Sequence, residues 1–149
     1  MMKRILLLLA TGVLVVAAGC SSPAKVAASR GQGRKEVYNA TYDDVWAAAV
    51  EAAQSGDLFI LHSDKANGYI AARRGIRPET FGENVGIWVQ PVSPLQTKVE
   101  VVSRQAGPPV LVLRNWEERI LASIEATLST ESSADPSQPF AMAREGDSR

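Results

Sequence analysis

Cysteine is all but missing from this 149-residue chain: Cys20 is the only one. A single thiol excludes an intrachain disulfide framework, so the fold has to stand on packing alone. Histidine is as scarce, and His62 has no second imidazole to work with. Zinc would then need mostly carboxylate ligands, which is unusual for that ion. An excess of one charge is also lacking, because 16 basic residues balance 16 acidic ones. No basic face of the kind that holds nucleic acid stands out. Nor is there an apolar run of the roughly 20 residues that a lone spanning helix requires. No nucleophile, base and orienting carboxylate are singled out by spacing, so the sequence predicts no catalytic residue, no metal and no cofactor.

What is present begins at the N-terminus. Lys3 and Arg4 precede the apolar stretch from Ile5 to Val16, and Val16-Ala17-Ala18-Gly19-Cys20 follows. A positive start, a short apolar run and small residues at the end form an export signal. Small residues directly before a cysteine resemble the lipobox of bacterial lipoproteins. That resemblance implies that residues 1–19 are removed and that Cys20 becomes a lipidated first residue. Each buried CH₂ contributes about 0.8 kcal/mol, and two or three acyl chains on one residue make a stable anchor. The expected partner is therefore a membrane, reached through the lipid. Ser21 fits outer-membrane sorting, with the domain facing the periplasm. Loss of Lys3 and Arg4 leaves the mature chain slightly acidic.

Composition divides the rest. Residues 20–35 have no apolar period and are expected to be a flexible tether, spanning on the order of 20 Å at 5–6 Å × √n. Residues 36–128 make one domain, large enough for a single core. Residues 129–149 are rich in Ser, Glu, Asp, Pro and Gly and are expected to be disordered. Within the domain, Val37 to Ala40 is a short strand, and Thr41 caps a helix with Asp43 and Asp44 in its first turn. That helix carries Val45, Trp46, Ala49, Val50 and Ala53 at helical spacing and ends at Gly56. Leu58 to Ser63 and Tyr69 to Arg73 form a hairpin around Asp64-Lys65-Ala66-Asn67-Gly68. Residues 74–84 are expected to be a loop. Val85 to Val92 and Thr97 to Ser103 alternate as two further strands. A last helix carries Leu113, Trp116, Ile120, Ile124 and Leu128, with Asn115 and Glu118 as a capping box. The order is β-α-β-β-β-β-α, an α+β fold with an antiparallel four- to five-stranded sheet and two helices packed on one face.

Period-2 alternation assigns the faces. Ile70, Ala72, Val85, Ile87, Val89, Val99 and Val101 point toward the helices. The opposite face then carries Tyr69, Arg73, Trp88, Lys98 and Val102, together with Ala71, Gln90 and Glu100. Tryptophan is enriched at binding hot spots, so this face is a candidate partner surface centred on Trp88. The alternative is that the tether, a loop or the chain's own tail covers it. Arg73, Arg74 and Arg77 bring three guanidinium groups together and are candidate anion contacts. The alternative there is a solvated loop paired with Glu79 or Glu83. Trp46 and Trp116 belong to the core, and His62 is a strand-end imidazole.

The stretch from Tyr38 to Leu128 resembles a family of small proteobacterial lipoproteins. The matching residues are Ala40-Thr41-Tyr42-Asp43-Asp44-Val45-Trp46, then Ser63-Asp64-Lys65-Ala66-Asn67-Gly68-Tyr69-Ile70-Ala71-Ala72, and the Ile120/Ile124 helix. More distantly it is similar to the repeated domain of the BamC lipoprotein of the outer-membrane barrel-assembly machinery. The resemblance implies no catalytic residue to carry over. The expected function is a non-catalytic, membrane-anchored module that meets an envelope protein or another envelope component. The alternative is a small-ligand or lipid-binding lipoprotein, and a hydrolase ranks last.

Overall fold

Two sets of apolar positions decide this architecture: one face of a sheet and the stripes of two helices. The computed structural model describes residues 22–76, 82–107 and 115–133. Its elements are α1 (Pro23–Ala28), β1 (Arg34–Tyr38), α2 (Tyr42–Ser55), β2 (Phe59–Asp64), β3 (Tyr69–Arg74), β4 (Glu83–Ser93), β5 (Gln96–Gln105) and α3 (Trp116–Ser133). The five strands form one antiparallel sheet in the order β1-β5-β4-β3-β2. The expected α+β class, with two helices on one face, is what the structure has.

Local signals account for the elements. Thr41 caps α2 by accepting from the Asp44 amide at 3.3 Å, and Gly56 ends it. The left-handed residue is Asp57 rather than the glycine, at φ 62°; aspartate tolerates that region better than most side chains. Gly68 at φ 63° closes the β2–β3 turn, where a Cβ would lie 2.1 Å from the Val89 carbonyl oxygen. The Asp64 carboxylate holds the same turn, accepting from the Asn67 amide and side chain. Asn115 accepts from the Glu118 amide at 3.2 Å and donates to its carboxylate at 2.7 Å, so α3 starts on a capping box.

The core lies between the sheet and the two long helices. Ile70, Ala72, Val85, Ile87, Val89, Val99 and Val101 face it, as alternation requires. Trp46, Ala49 and Ala53 of α2 and Trp116, Ile120 and Ile124 of α3 fill the other side. Full burial of one such Ile or Val stabilises by about 1.5–3 kcal/mol. The alanines of α2 let its backbone approach closely.

The structure departs from the sequence reading in several places. The strands are longer: β3 runs through Arg74 and β4 starts at Glu83, so both ends of the expected loop belong to the sheet. Paired backbone groups at sheet ends override loop-like composition. The first strand lies at Arg34–Tyr38 rather than at Val37 to Ala40, and α3 continues to Ser133, beyond the expected end of the domain at Leu128. The largest difference is α1, which lies within the expected tether. The signal segment, Cys20, Arg77 and the tail from residue 134 lie outside the described residues.

Candidate functional site

The sheet's second face is closed by the chain itself. Ser22 caps α1 and Pro23 opens it, a pairing suited to a helix start. Val26 is the one buried side chain of this short helix, and it packs against Trp88 and Val102, with Tyr69 alongside. Trp88 is 4% exposed and Val102 0%. Gly86 makes the seat. A Cβ there would stand 2.7 Å from the Trp88 ring and 2.8 Å from Val26 Cγ1, so only glycine lets the indole and the valine meet over the strand. Glu100, also buried, fixes the turn after α1 by accepting from the amides of Gly31 and Gly33. Lys35 Nζ donates to the Gly31 carbonyl, and Arg104 reaches the side chain of Gln32.

The five residues expected to make a partner surface are therefore divided. Trp88 and Val102 lie beneath α1, and Tyr69 flanks them, its ring centroid 5.1 Å from that of Trp88. Arg73 is exposed toward the β2 edge. Lys98 lies apart, in a groove. The apolar streak is real, but α1 covers it: Val26 lies over the indole and takes apolar area out of water. Nothing periodic marks α1 in the sequence, because six residues cannot show an apolar stripe. The available signals were Ser22-Pro23 and a lone glycine inside β4.

The arginine cluster also separates. Arg73 and Arg74 are neighbours on a strand and point to opposite faces. Arg74 turns inward and is buried, 3.6 Å from the Glu83 carboxylate. Its guanidinium lies 5.8 Å from the Trp116 ring centroid, and that indole donates to Glu83. Arg74 is thus committed to a buried pair, one of the two partners the sequence left open, and does not join Arg73 as an anion contact. Trp116 and Trp46 are core residues as expected. His62 is exposed on β2, its ring 6.2 Å from that of Tyr69. Among the described residues no hydroxyl is hydrogen-bonded to it, and no group of His, Cys, Asp and Glu is placed to hold a metal ion.

A groove of about 590 Å³ opens at one end of the sheet, between the β2–β3 turn and the β4–β5 hairpin. Its polar groups are Tyr42, Lys65, Asn67, Gln90 and Lys98, and Val89, Pro91 and Val92 supply an apolar wall. Tyr42 donates its phenol to the Lys65 carbonyl. Burial raises the Tyr42 pKa above the ordinary value, with Lys65 opposing, so the phenol is protonated at neutral pH. Lys65 pairs with Asp43 at 2.7 Å. Lys98 is half-buried, and no carboxylate among the described residues forms an ion pair with it. The groove thus offers one uncompensated ammonium, two amide side chains and an apolar wall. No reacting group is held against another there.

No family model matches the chain, and no curated protein matches it. Solved structures with some likeness include the di-domain aromatase/cyclase BexL from the BE-7585A biosynthetic pathway. It is 16% identical, with 67% of this chain matched to 41% of that one at a TM-score of 0.38. This chain therefore spans about two fifths of its length. The Zhui aromatase/cyclase from Streptomyces sp. R1128 is 17% identical over 67% of this chain and 87% of that one, at a TM-score of 0.37. Ara h 8.0201 is 11% identical over 64% and 95%, at 0.39. At that level of likeness nothing about activity passes from those proteins to this one.

Proposed function

We propose that this chain is a lipid-anchored cell-envelope protein whose domain is a non-catalytic module binding a small anionic ligand. The groove carries this reading. Its volume lies within the roughly 300–1,000 Å³ typical of small-molecule sites, and it combines a few convergent polar groups with an apolar wall. The Lys98 ammonium would meet a carboxylate or phosphate, Gln90 and Asn67 would orient it, and Pro91 and Val92 would cover an apolar body. A protein partner seated on Trp88 is the weaker reading, because α1 already occupies that surface. Anchoring rests on the lipobox-like run ending at Cys20. The outer membrane, facing the periplasm, is the location that Ser21 favours, and kinship with the small proteobacterial lipoproteins fits the same picture.

Hexanoate and hexyl phosphate are suitable probes, each pairing one anionic head with a short apolar chain. A ligand that binds only the folded state stabilises it by about 2.7 kcal/mol at a hundred times its Kd. Thermal melts should rise by several degrees with at least one probe, and Lys98→Met should remove the rise without lowering the ligand-free Tm. A Tm that moves with neither probe contradicts the reading. For the anchor, Cys20→Ser should abolish incorporation of a labelled fatty acid, and undiminished label would refute it.

A further inference from the structure

Charge is distributed unevenly over this balanced chain. The two long helices carry seven carboxylates, three on α2 and four on α3, against Arg119 alone. The second face is the reverse. Lys25 and Arg30 project from α1 and the turn that follows it, and Lys35, Arg73 and Arg104 lie at positions in register with the Trp88 face. Among the described residues, the acidic ones on that face are Glu100, buried under the Gly31 and Gly33 amides, and Asp64, occupied in the β2–β3 turn. Two apolar side chains flank the basic surface: Val37 on edge strand β1, 55% exposed, and Phe59 on edge strand β2, 69% exposed. The charge map emerges only once register is known, because the basic residues are scattered along the sequence.

Chain length sets where this face must lie. Ser22, the cap of the docked helix, is two residues from Cys20. Two residues reach about 7 Å at most, far less than the open tether suggested by composition. With α1 seated, a lipid on Cys20 draws the N-terminal end of α1, and the face it lies on, down to the headgroups. Basic side chains at that distance fall within the field of anionic lipids, and flanking apolar groups suit the interface.

We propose that the α1-bearing face of the sheet is a membrane-apposition surface that rests on anionic phospholipid headgroups, with α2 and α3 turned away from the bilayer. The inference rests on lipid anchoring at Cys20 and is independent of any ligand in the groove. Lipidation consumes the only thiol, so an introduced cysteine can carry a fluorophore at one chosen place. The lipidated chain is reconstituted into phosphatidylethanolamine–phosphatidylglycerol vesicles containing a headgroup nitroxide quencher. The label is placed at Val37→Cys, on the basic face, or at Glu51→Cys, on α2. Quenching at position 37 should exceed that at position 51 several-fold. The contrast should shrink in phosphatidylcholine vesicles or high salt, and in the Lys35→Glu/Arg73→Glu variant. High salt gives the same test without any change to the fold. Equal quenching at the two positions in vesicles that retain the protein overturns the apposition alone. Failure to float with vesicles overturns the anchoring reading, and the apposition falls with it.

Discussion

Trp88 shows most directly how a single position changes meaning once its surroundings are known. An indole on an open sheet face could be truncated at the cost of contact area alone. An indole sealed by Val26 and resting over Gly86 leaves a cavity instead. Trp88→Ala should therefore cost about 3–5 kcal/mol, the range for large aromatic truncations in cores. Chemical denaturation would measure it, and a loss below about 1 kcal/mol would mean that α1 does not seal the face. Gly86→Ala tests the same contact from beneath. The added methyl meets Trp88 and Val26 at under 3 Å, and overpacking of this kind costs about 1–3 kcal/mol. Tyr38 supplies a pH dependence. Its phenol donates to the Leu121 carbonyl at 2.9 Å, joining β1 to α3. Burial first, and then the nearby Glu36 charge, raise its pKa well above the ordinary value of 10. The folded state therefore holds this proton more tightly than the unfolded chain. The resulting stability is complete below pH 10 and is lost as pH rises through the alkaline range. Tyr38→Phe should remove about 1 kcal/mol at neutral pH and flatten the alkaline fall in Tm. A fall as steep as in the wild type would assign it to other groups.

At the scale of elements, the chain divides by how strongly each segment signals itself. Strands β4 and β5 alternate over many residues, α2 has a cap and an apolar stripe, and the Asp64–Gly68 turn is written in side chains that fold back on their own backbone. These were legible, and so were the residues of the inner face. The ends of β3 and β4 were not, because Arg74 and Glu83 look like loop residues until cross-strand pairing brings them into one buried ion pair. The helix α1 was the least legible. Its stability comes from a docking site supplied by β4 and β5, far away in sequence, rather than from its own six residues. The groove was only partly visible: Lys98 and Gln90 lie on the second face and the Asp64–Gly68 turn is written in the sequence, but only the folded sheet brings that turn beside the β4–β5 hairpin to enclose a groove. If tertiary contact holds α1, Val26→Asp should release it. Proteolytic cleavage at Lys25 and Arg30 should quicken by at least tenfold while β4 and β5 stay intact. Unchanged cleavage would show that Val26 is not the retaining contact.

At the scale of the whole molecule, the segment that looked like a spacer is part of the fold. A free tether would let the domain tumble above its membrane, whereas a seated α1 fixes one face toward it. Both the apposition and the exclusion of a partner from Trp88 depend on α1 remaining in place. Hydrogen exchange at the Gly31 and Gly33 amides tests this most directly, because both donate to Glu100 only when the segment is docked. They should be protected well above open-chain rates in the wild type and lose that protection in Glu100→Ala, while β4 and β5 amides stay slow. Open-chain exchange at Gly31 and Gly33 in the wild type, beside a protected sheet, would contradict the account.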